Sequence, residues 1–192
     1  MNWGQIKAAV REYAHRADIS DTLLNTFLAL AEQRMYYGEA NTPKLRCAAM
    51  RATAVMYDGA QPGGYLEAIK IHQIGSPERP LNFLPLALMP AACNAFSWDG
   101  QNMVLSDDVS FPLEMTYYRR LPALMDDADS NWVSENAPSI YITAIGVEVG
   151  DWMRDSDYVV SQAAKYASAC GSLTSSERAS AISGSTLRIR GR

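Results

Sequence analysis

The sequence predicts an α+β protein, with a helical bundle of about four helices formed by the N- and C-terminal segments. An antiparallel β-rich domain is inserted between them, and an extended tail follows. Three observations support this prediction. Apolar residues recur at helical spacing over residues 1–37, they fall into short runs bounded by proline and glycine over 45–118, and helical spacing returns after residue 136. Strands placed between two groups of helices are typical of an α+β fold.

The same patterns set the predicted domain boundaries. Residues 1–44 and 132–180 form the helical body, residues 45–131 the inserted β-rich domain, and residues 181–192 a C-terminal docking tail. No internal repeat is visible. A chain of 192 residues is long enough to bury one sizeable core or two smaller ones.

Two helices are predicted near the N-terminus. Asn2 is a candidate N-cap of the first, and Ser20 or Asp21 can cap the second. The predicted buried stripe of the first helix is Trp3, Ile6, Val10 and Tyr13. That of the second helix is Leu23, Leu24, Phe27, Leu28, Ala31 and Met35.

The middle of the chain predicts one antiparallel sheet of four to six strands. An Asp-Gly dipeptide in "FSWDGQNMVLS" favours a hairpin turn between two strands. In "FPLEMTYY", Leu113, Met115 and Tyr117 alternate with more polar residues, as in a half-buried strand. The segment "LPLALMPAAC" is either an edge strand or a short helix, because its prolines exclude a central strand.

Two further helices are predicted after the β-rich segment. "SIYITAIGVEVGDWM" is rich in β-branched residues, which favour a strand, but its length and spacing favour a mostly buried helix. Pro138, behind Asn136, lies where the first turn of this helix is expected. A last helix runs from about Asp157 to Arg178, before the tail "SAISGSTLRIRGR".

Composition and charge exclude several classes of protein. A formal net charge of −4 argues against broad affinity for nucleic acid, which requires a dense basic surface. No window approaches the roughly 18 apolar residues of a membrane span, and the N-terminus lacks the apolar core of a secretory signal. The three cysteines, Cys47, Cys93 and Cys170, lie far apart and form no CxxC motif. This pattern fits a reducing compartment such as the cytosol.

The loop Asp127-Ala-Asp129-Ser-Asn131 is the strongest candidate for a metal site. It copies the opening of an EF-hand loop, but that loop also requires glycine at its sixth position and glutamate at its twelfth. Trp132 and Pro138 occupy those two positions here. We therefore expect a solvated turn and no metal site.

The sequence predicts no catalytic or cofactor-binding residues. His15 and His72 have no second ligand at helical spacing, Gly63-Gly64 lacks the lysine of a phosphate loop, and no serine lies in a nucleophile elbow. Glu32 is the one candidate acid for a cell-wall glycan hydrolase. That chemistry normally requires two placed carboxylates, so a helix-surface glutamate near Arg34 is the stronger interpretation.

The C-terminal tail carries the chain's basic concentration. Leu187 and Ile189 alternate with Arg188 and Arg190. Two interpretations stay open: a solubilising tail, or a docking strand added to the sheet edge of another subunit.

Long stretches of the chain, from about Ala17 to Arg192, resemble head–tail adaptor (connector) proteins of short-tailed phages. The first is "RADISDTLLNTFLALAEQRMYYGEANTPKLRCAA", in which an Arg-x-Asp step leads into a helix that ends in "LAE-x-R". The second is the proline-started strand "PGGYLEAIKI". The third is "WDGQNMVLSDDVSFPLEMTYYRRLPAL", followed by an Asn-Trp pair and an Asn-Ala-Pro helix start with an early tyrosine. The terminal "LRIRGR" also matches the basic-apolar ends of such proteins.

The resemblance implies a structural subunit of the virion, made in the host cytoplasm and placed at the tail vertex. About twelve copies would form a ring under the portal protein and bind the tail nozzle or tail fibre proteins. Genomic DNA would pass through the ring without sequence-specific binding, and neither a membrane nor a cofactor is implied. The alternatives are a virion-associated cell-wall glycan hydrolase and a nucleic-acid-binding accessory protein.

Four residues are predicted to mark a structural seam where the inserted domain returns to the helical body. Tyr117 and Tyr118 end the last strand, and Trp132 and Pro138 begin the returning helical segment. Trp132 is the predicted anchor of this seam.

Overall fold

Helices and strands segregate along the chain as the sequence predicts, so the α+β prediction is confirmed. The structure is a computed structural model that describes residues 1–39 and 42–183. The chain separates into two compact units. A helical unit comprises Met1–Ala49 and the segment that begins at Leu121, and a β-rich unit comprises Met50–Arg120.

The helical unit contains five α-helices among the described residues, where the sequence predicts about four. They are α1 (Trp3–Tyr13), α2 (Asp21–Tyr37), α3 (Trp132–Asn136), α4 (Pro138–Met153) and α5 (Ser156–Ser183). The helix that the sequence prediction lacks is α3. Its five residues are too few to show a helical period.

Helix α4 is the core of the helical unit, and the prediction of a mostly buried helix is confirmed. Nearly every residue from Ile140 to Gly150 is buried, so this part of the helix has no side that faces water. Helices α1, α2, α3 and α5 all contact it. Among the described residues, no helix combines the length and apolarity needed to cross a membrane.

The two N-terminal helices begin at the predicted caps. The Asn2 side chain accepts a hydrogen bond from the Gln5 amide, and the Asn2 amide donates one to Oε1 of the Gln5 side chain. The Ser20 hydroxyl accepts a hydrogen bond from the Leu23 amide at 3.2 Å. The prediction that Tyr13 shares the buried stripe of α1 is wrong, because α1 ends there and the side chain is 65% exposed.

The β-rich unit contains two three-stranded sheets, so the prediction of one sheet is wrong. The strands are β1 (Arg51–Met56), β2 (Tyr65–Gln73), β3 (Asn82–Phe83), β4 (Ala95–Asp99), β5 (Asn102–Leu105) and β6 (Leu113–Arg119). One sheet has the order β1-β6-β2 and the other β3-β4-β5. All pairs are antiparallel except β3–β4, which is parallel.

One hydrophobic cluster joins the two sheets. The predicted alternation along β6 is confirmed, since Leu113, Met115 and Tyr117 are buried and their neighbours are less so. They pack with side chains from both sheets and from the connecting segments, namely Met56, Ile71, Leu81, Phe96 and Met103. The predicted hairpin joins β4 to β5, and the ambiguous "LPLALMPAAC" segment contains a 3₁₀ helix, Leu86–Ala91.

Helices α4 and α5 approach closely because α4 has glycine at two contact positions. A methyl group on Gly146 would lie 3.1 Å from Cγ of Gln162. One on Gly150 would lie 2.8 Å from Cγ2 of Val159 and 3.2 Å from the Val159 backbone nitrogen. The close approach therefore depends on the absence of a side chain at Gly150.

Replacing Gly150 by alanine should lower the free energy of unfolding by roughly 1–3 kcal/mol, because the added methyl overpacks the α4–α5 contact. Gly171→Ala in α5 is the matched control, since a methyl there meets nothing within 4 Å. That change should stabilise the protein by about 0.5–1 kcal/mol through helix propensity. Urea unfolding of both variants measures the two effects; equal stabilities of the variants would contradict the packing role.

Candidate functional site

The acidic loop, residues 126–129, lies between the β-rich unit and α3 in the chain. The carboxylates of Asp127 and Asp129 in this loop bind other groups of the protein. Asp127 forms an ion pair with Lys7. The Asp129 carboxylate accepts hydrogen bonds from the amides of Met125 and Asp126, each at 2.8 Å. Among the residues that the structure describes, no group of three His, Cys, Asp or Glu side chains is arranged to hold a metal ion.

Lys7 connects this loop to the N-terminal helices. It is only 5% exposed and also pairs with Asp21, with 2.9 Å between Nζ and Oδ2. The hydrogen bond to Asp127 raises the pKa of Lys7 in spite of its burial, and hydrogen bonds from Arg11 and then Lys7 lower the pKa of Asp21. The amide of Trp3 donates to the Asp129 carbonyl at 2.8 Å. The loop is therefore fixed against the start of α1.

Asn131 is the buried anchor at the start of α3. It is 5% exposed, and its Oδ1 accepts a hydrogen bond from the Ser134 amide at 3.0 Å. Its Nδ2 donates to the Pro122 carbonyl at 3.0 Å and to the Tyr141 hydroxyl at 2.9 Å. The sequence analysis considered Asn131 only as part of the calcium-like loop and not as a helix cap, although a capping residue followed three positions later by a polar partner was the signal available.

The four predicted seam residues lie in two places. Tyr117 and Tyr118 are in β6, where Tyr117 is 6% exposed and Tyr118 is half-buried on the other face. Trp132 begins α3 and is 40% exposed, and Pro138 is the first residue of α4. The buried side chains next to Trp132 are Asn131, Val133 and Ser134. The seam as a unit stays a prediction.

The structure also places the remaining residues that the sequence analysis considered for catalysis or binding. Glu32 lies 3.4 Å from the Tyr141 hydroxyl, which can donate to it. His15 is exposed, whereas His72 is 7% exposed with Nε2 3.8 Å from a Glu114 carboxylate oxygen. The predicted docking residues, Leu187, Arg188, Ile189 and Arg190, lie outside the described residues.

A groove of about 470 Å³ lies on the helical unit. Its lining is mostly apolar and comes largely from α4 and α5, and we call it the α4–α5 groove. Its described lining residues are Arg34, Glu39, Thr42, Val147, Asp151, Val159, Val160, Ala163, Ala164 and Ala167. Burial raises the pKa of Glu148, the ion-pair partner of the groove residue Arg34, while that ion pair acts in the opposite direction.

The β-rich unit exposes an apolar patch on the segment that precedes β4. Phe83 is 61% exposed, Leu86 44% and Leu88 58%. We call these three side chains the apolar patch. The three lie within six residues of one another, and neighbouring exposed apolar side chains are typical of protein–protein contacts.

Of the features described so far, the α4–α5 groove and the apolar patch lie on the protein surface. A family model described as SU10 adaptor protein matches residues 1–190 of the chain. The chain belongs to this phage adaptor family. A search of curated proteins found no match.

Membership confirms the family predicted from the sequence. The adaptor has a structural role in the phage virion, at the junction of head and tail, and its family is generally not enzymatic. Binding to other virion proteins follows from that role.

The depressed pKa of Asp129 gives the adaptor a testable dependence on pH. Amide donors of Asp126 and then Met125 hold the folded pKa below its ordinary value. The carboxylate therefore stabilises the fold above the unfolded pKa, about 3.9. This stabilisation is lost as pH falls through the folded pKa.

Asp129→Asn should lower the melting temperature at pH 7, and the difference from wild type should shrink as pH falls from about 5 towards 3. Asp126→Asn is the matched control, because it makes the same change on an exposed neighbour whose backbone, not its side chain, forms the loop's hydrogen bonds. Thermal unfolding of the three proteins from pH 3 to pH 7 measures the effect. A pH-independent difference for Asp129→Asn would contradict this role of the carboxylate.

Proposed function

We propose that the adaptor forms a ring of about twelve copies under the portal protein and joins the capsid to the tail. The tail nozzle or tail fibre proteins bind below it, and the genome passes through its central channel during ejection. The observation that carries this proposal is the match of the phage adaptor family model over nearly the whole chain.

Ring formation requires two different, complementary faces on each copy, because a closed ring is built from heterologous contacts. The division of the chain into a helical and a β-rich unit supports this requirement, since the two units have different surfaces. Each unit exposes large apolar side chains. Leu30, Tyr37 and Val160 on the helical unit, and the apolar patch on the β-rich unit, are all at least 44% exposed.

The charge of the adaptor suits a channel for DNA. With a formal net charge of −4, the chain does not present the dense basic surface that would hold the phosphate backbone. Negatively charged residues around a channel repel the phosphate backbone, so the DNA stays mobile inside the channel.

The C-terminal tail is the proposed docking arm for the portal. Leu187 and Ile189 alternate with Arg188 and Arg190, so a strand added to a portal edge would place apolar and basic side chains on opposite faces. Helix α5 precedes the tail and is 28 residues long, about 42 Å at 1.5 Å per residue. A ring binds the portal more strongly than a single arm does, because all copies bind one portal at the same time.

The seam has a proposed role in the same assembly. Tyr117, Tyr118, Trp132 and Pro138 bracket the segment through which the inserted unit returns to the helical body. The exposed part of Trp132 is free to contact a neighbouring virion protein.

Deleting residues 186–192 should leave a folded, soluble adaptor that no longer joins the portal, since the docking arm is lost while both cores are intact. Arg188→Glu/Arg190→Glu should have the same effect. Lys44→Glu/Arg79→Glu is the matched control, with an equal change of charge at two exposed residues outside the tail. Co-sedimentation with portal measures binding, and circular dichroism checks the fold. Normal joining by the truncated chain would show that the tail is not the docking arm.

A further inference from the structure

The apolar patch stands in an uncharged part of the β-rich unit. Residues 80–98 contain no Asp, Glu, Lys or Arg. Within this stretch Leu81, Met89 and Phe96 are buried, at 7%, 6% and 5% exposure, whereas the three side chains of the patch point outwards. An apolar partner surface therefore suits the patch best.

The patch is held in place by the structure beneath it. The Phe83 ring packs edge-on against the buried ring of Phe96, with 5.5 Å between centroids. The Leu88 amide donates to the Pro85 carbonyl at 2.9 Å, which closes the turn that carries Leu86 and Leu88. An exposed group that is already ordered loses little conformational entropy when it binds.

This edge of the sheet is poorly suited to the addition of a strand from another chain. The neighbouring edge strand β3 has only two residues. Prolines at positions 80, 85 and 90 lack the amide that an added strand would require. Short strands and prolines are typical of sheet edges that do not pair with another chain.

The α4–α5 groove provides a matching surface on the helical unit. Val147, Ala163 and Ala167 give it an apolar lining, and Val160, 69% exposed, stands beside them. Charged residues also line the groove: Arg34 is paired with Glu39 at 2.8 Å and with Glu148, and Asp151 is exposed to water. An uncharged occupant leaves these ion pairs intact and introduces no charge that would need a new partner.

We propose that the apolar patch of one copy packs into the α4–α5 groove of the neighbouring copy. This inference rests on the proposed ring. Patch and groove are different surfaces, so each copy gives its patch to one neighbour and its groove to the other. A contact of this kind repeats around a closed ring.

The size of the patch fits a contact that forms during assembly. Three partly exposed side chains offer on the order of 300 Å². A stable pair of proteins buries about 800 Å² on each partner. The patch alone is too small to hold two isolated copies together. The contact becomes favourable when many copies bind one portal, because their effective concentration rises.

Cysteine cross-linking on the assembled ring tests the contact. In a Cys93→Ser background, which removes an exposed thiol, Leu88→Cys/Val160→Cys is assembled on portal and oxidised. We expect a ladder of disulfide-linked multimers, and neither single cysteine variant should give one. Mixing the two single variants should give dimers that contain one chain of each. Tyr57→Cys/Val160→Cys is the matched control and should stay monomeric, since Tyr57 is 80% exposed on the same unit but outside the patch.

The outcomes separate this inference from the proposed function. A wild-type ring on portal without cross-linking of the 88/160 pair overturns the patch–groove contact and leaves the ring in place. Cross-linking of Val160→Cys to Leu187→Cys in place of Leu88→Cys assigns the groove to the basic tail and also overturns the inference. If wild-type protein forms no ring on portal, the proposed function fails, and the contact fails with it.

Discussion

Burial of α4 from Ile140 to Gly150 is the constraint on which the helical unit depends. A helix that is apolar around its whole circumference requires cover from several directions, and α1, α2, α3 and α5 provide it. Two of these helices precede the β-rich unit in the chain and two follow it. The helical core is therefore complete only when chain segments on both sides of the insertion come together, and Gly150 lets α5 come close enough to close it.

The acidic loop and Asn131 help to secure this arrangement. Lys7 and the amide of Trp3 bind the loop to α1, while Asn131 joins the start of α3 to Tyr141 in α4. The polar groups that most resemble a metal or catalytic constellation in the sequence therefore have structural partners. The exposed apolar patch and the α4–α5 groove agree with membership of a phage adaptor family.

The sequence predicted what depends on local periodicity and missed what depends on tertiary partners. Caps and stripes located the N-terminal helices, and length correctly favoured a helix for α4 over its β-branched propensity. The single predicted sheet was wrong because strand pairing is non-local: β3 joins β4 across a 3₁₀ helix, in parallel. The anchoring role of Asn131 was missed because its hydrogen bond to Tyr141, ten residues away, depends on the folded chain. Neither the apolar patch nor the groove could be found, since exposure is a property of the folded chain.

The central proposal is that this chain, a phage adaptor, forms a ring at the junction of head and tail. Electron microscopy of the purified protein mixed with its portal tests that claim most directly. We expect additional density on the tail-facing end of the portal, arranged as a closed ring around the portal axis. Each adaptor copy in that ring is bound to the portal through its C-terminal arm. Bare portal particles, or adaptor bound as a single off-axis copy at saturating concentration, would contradict it.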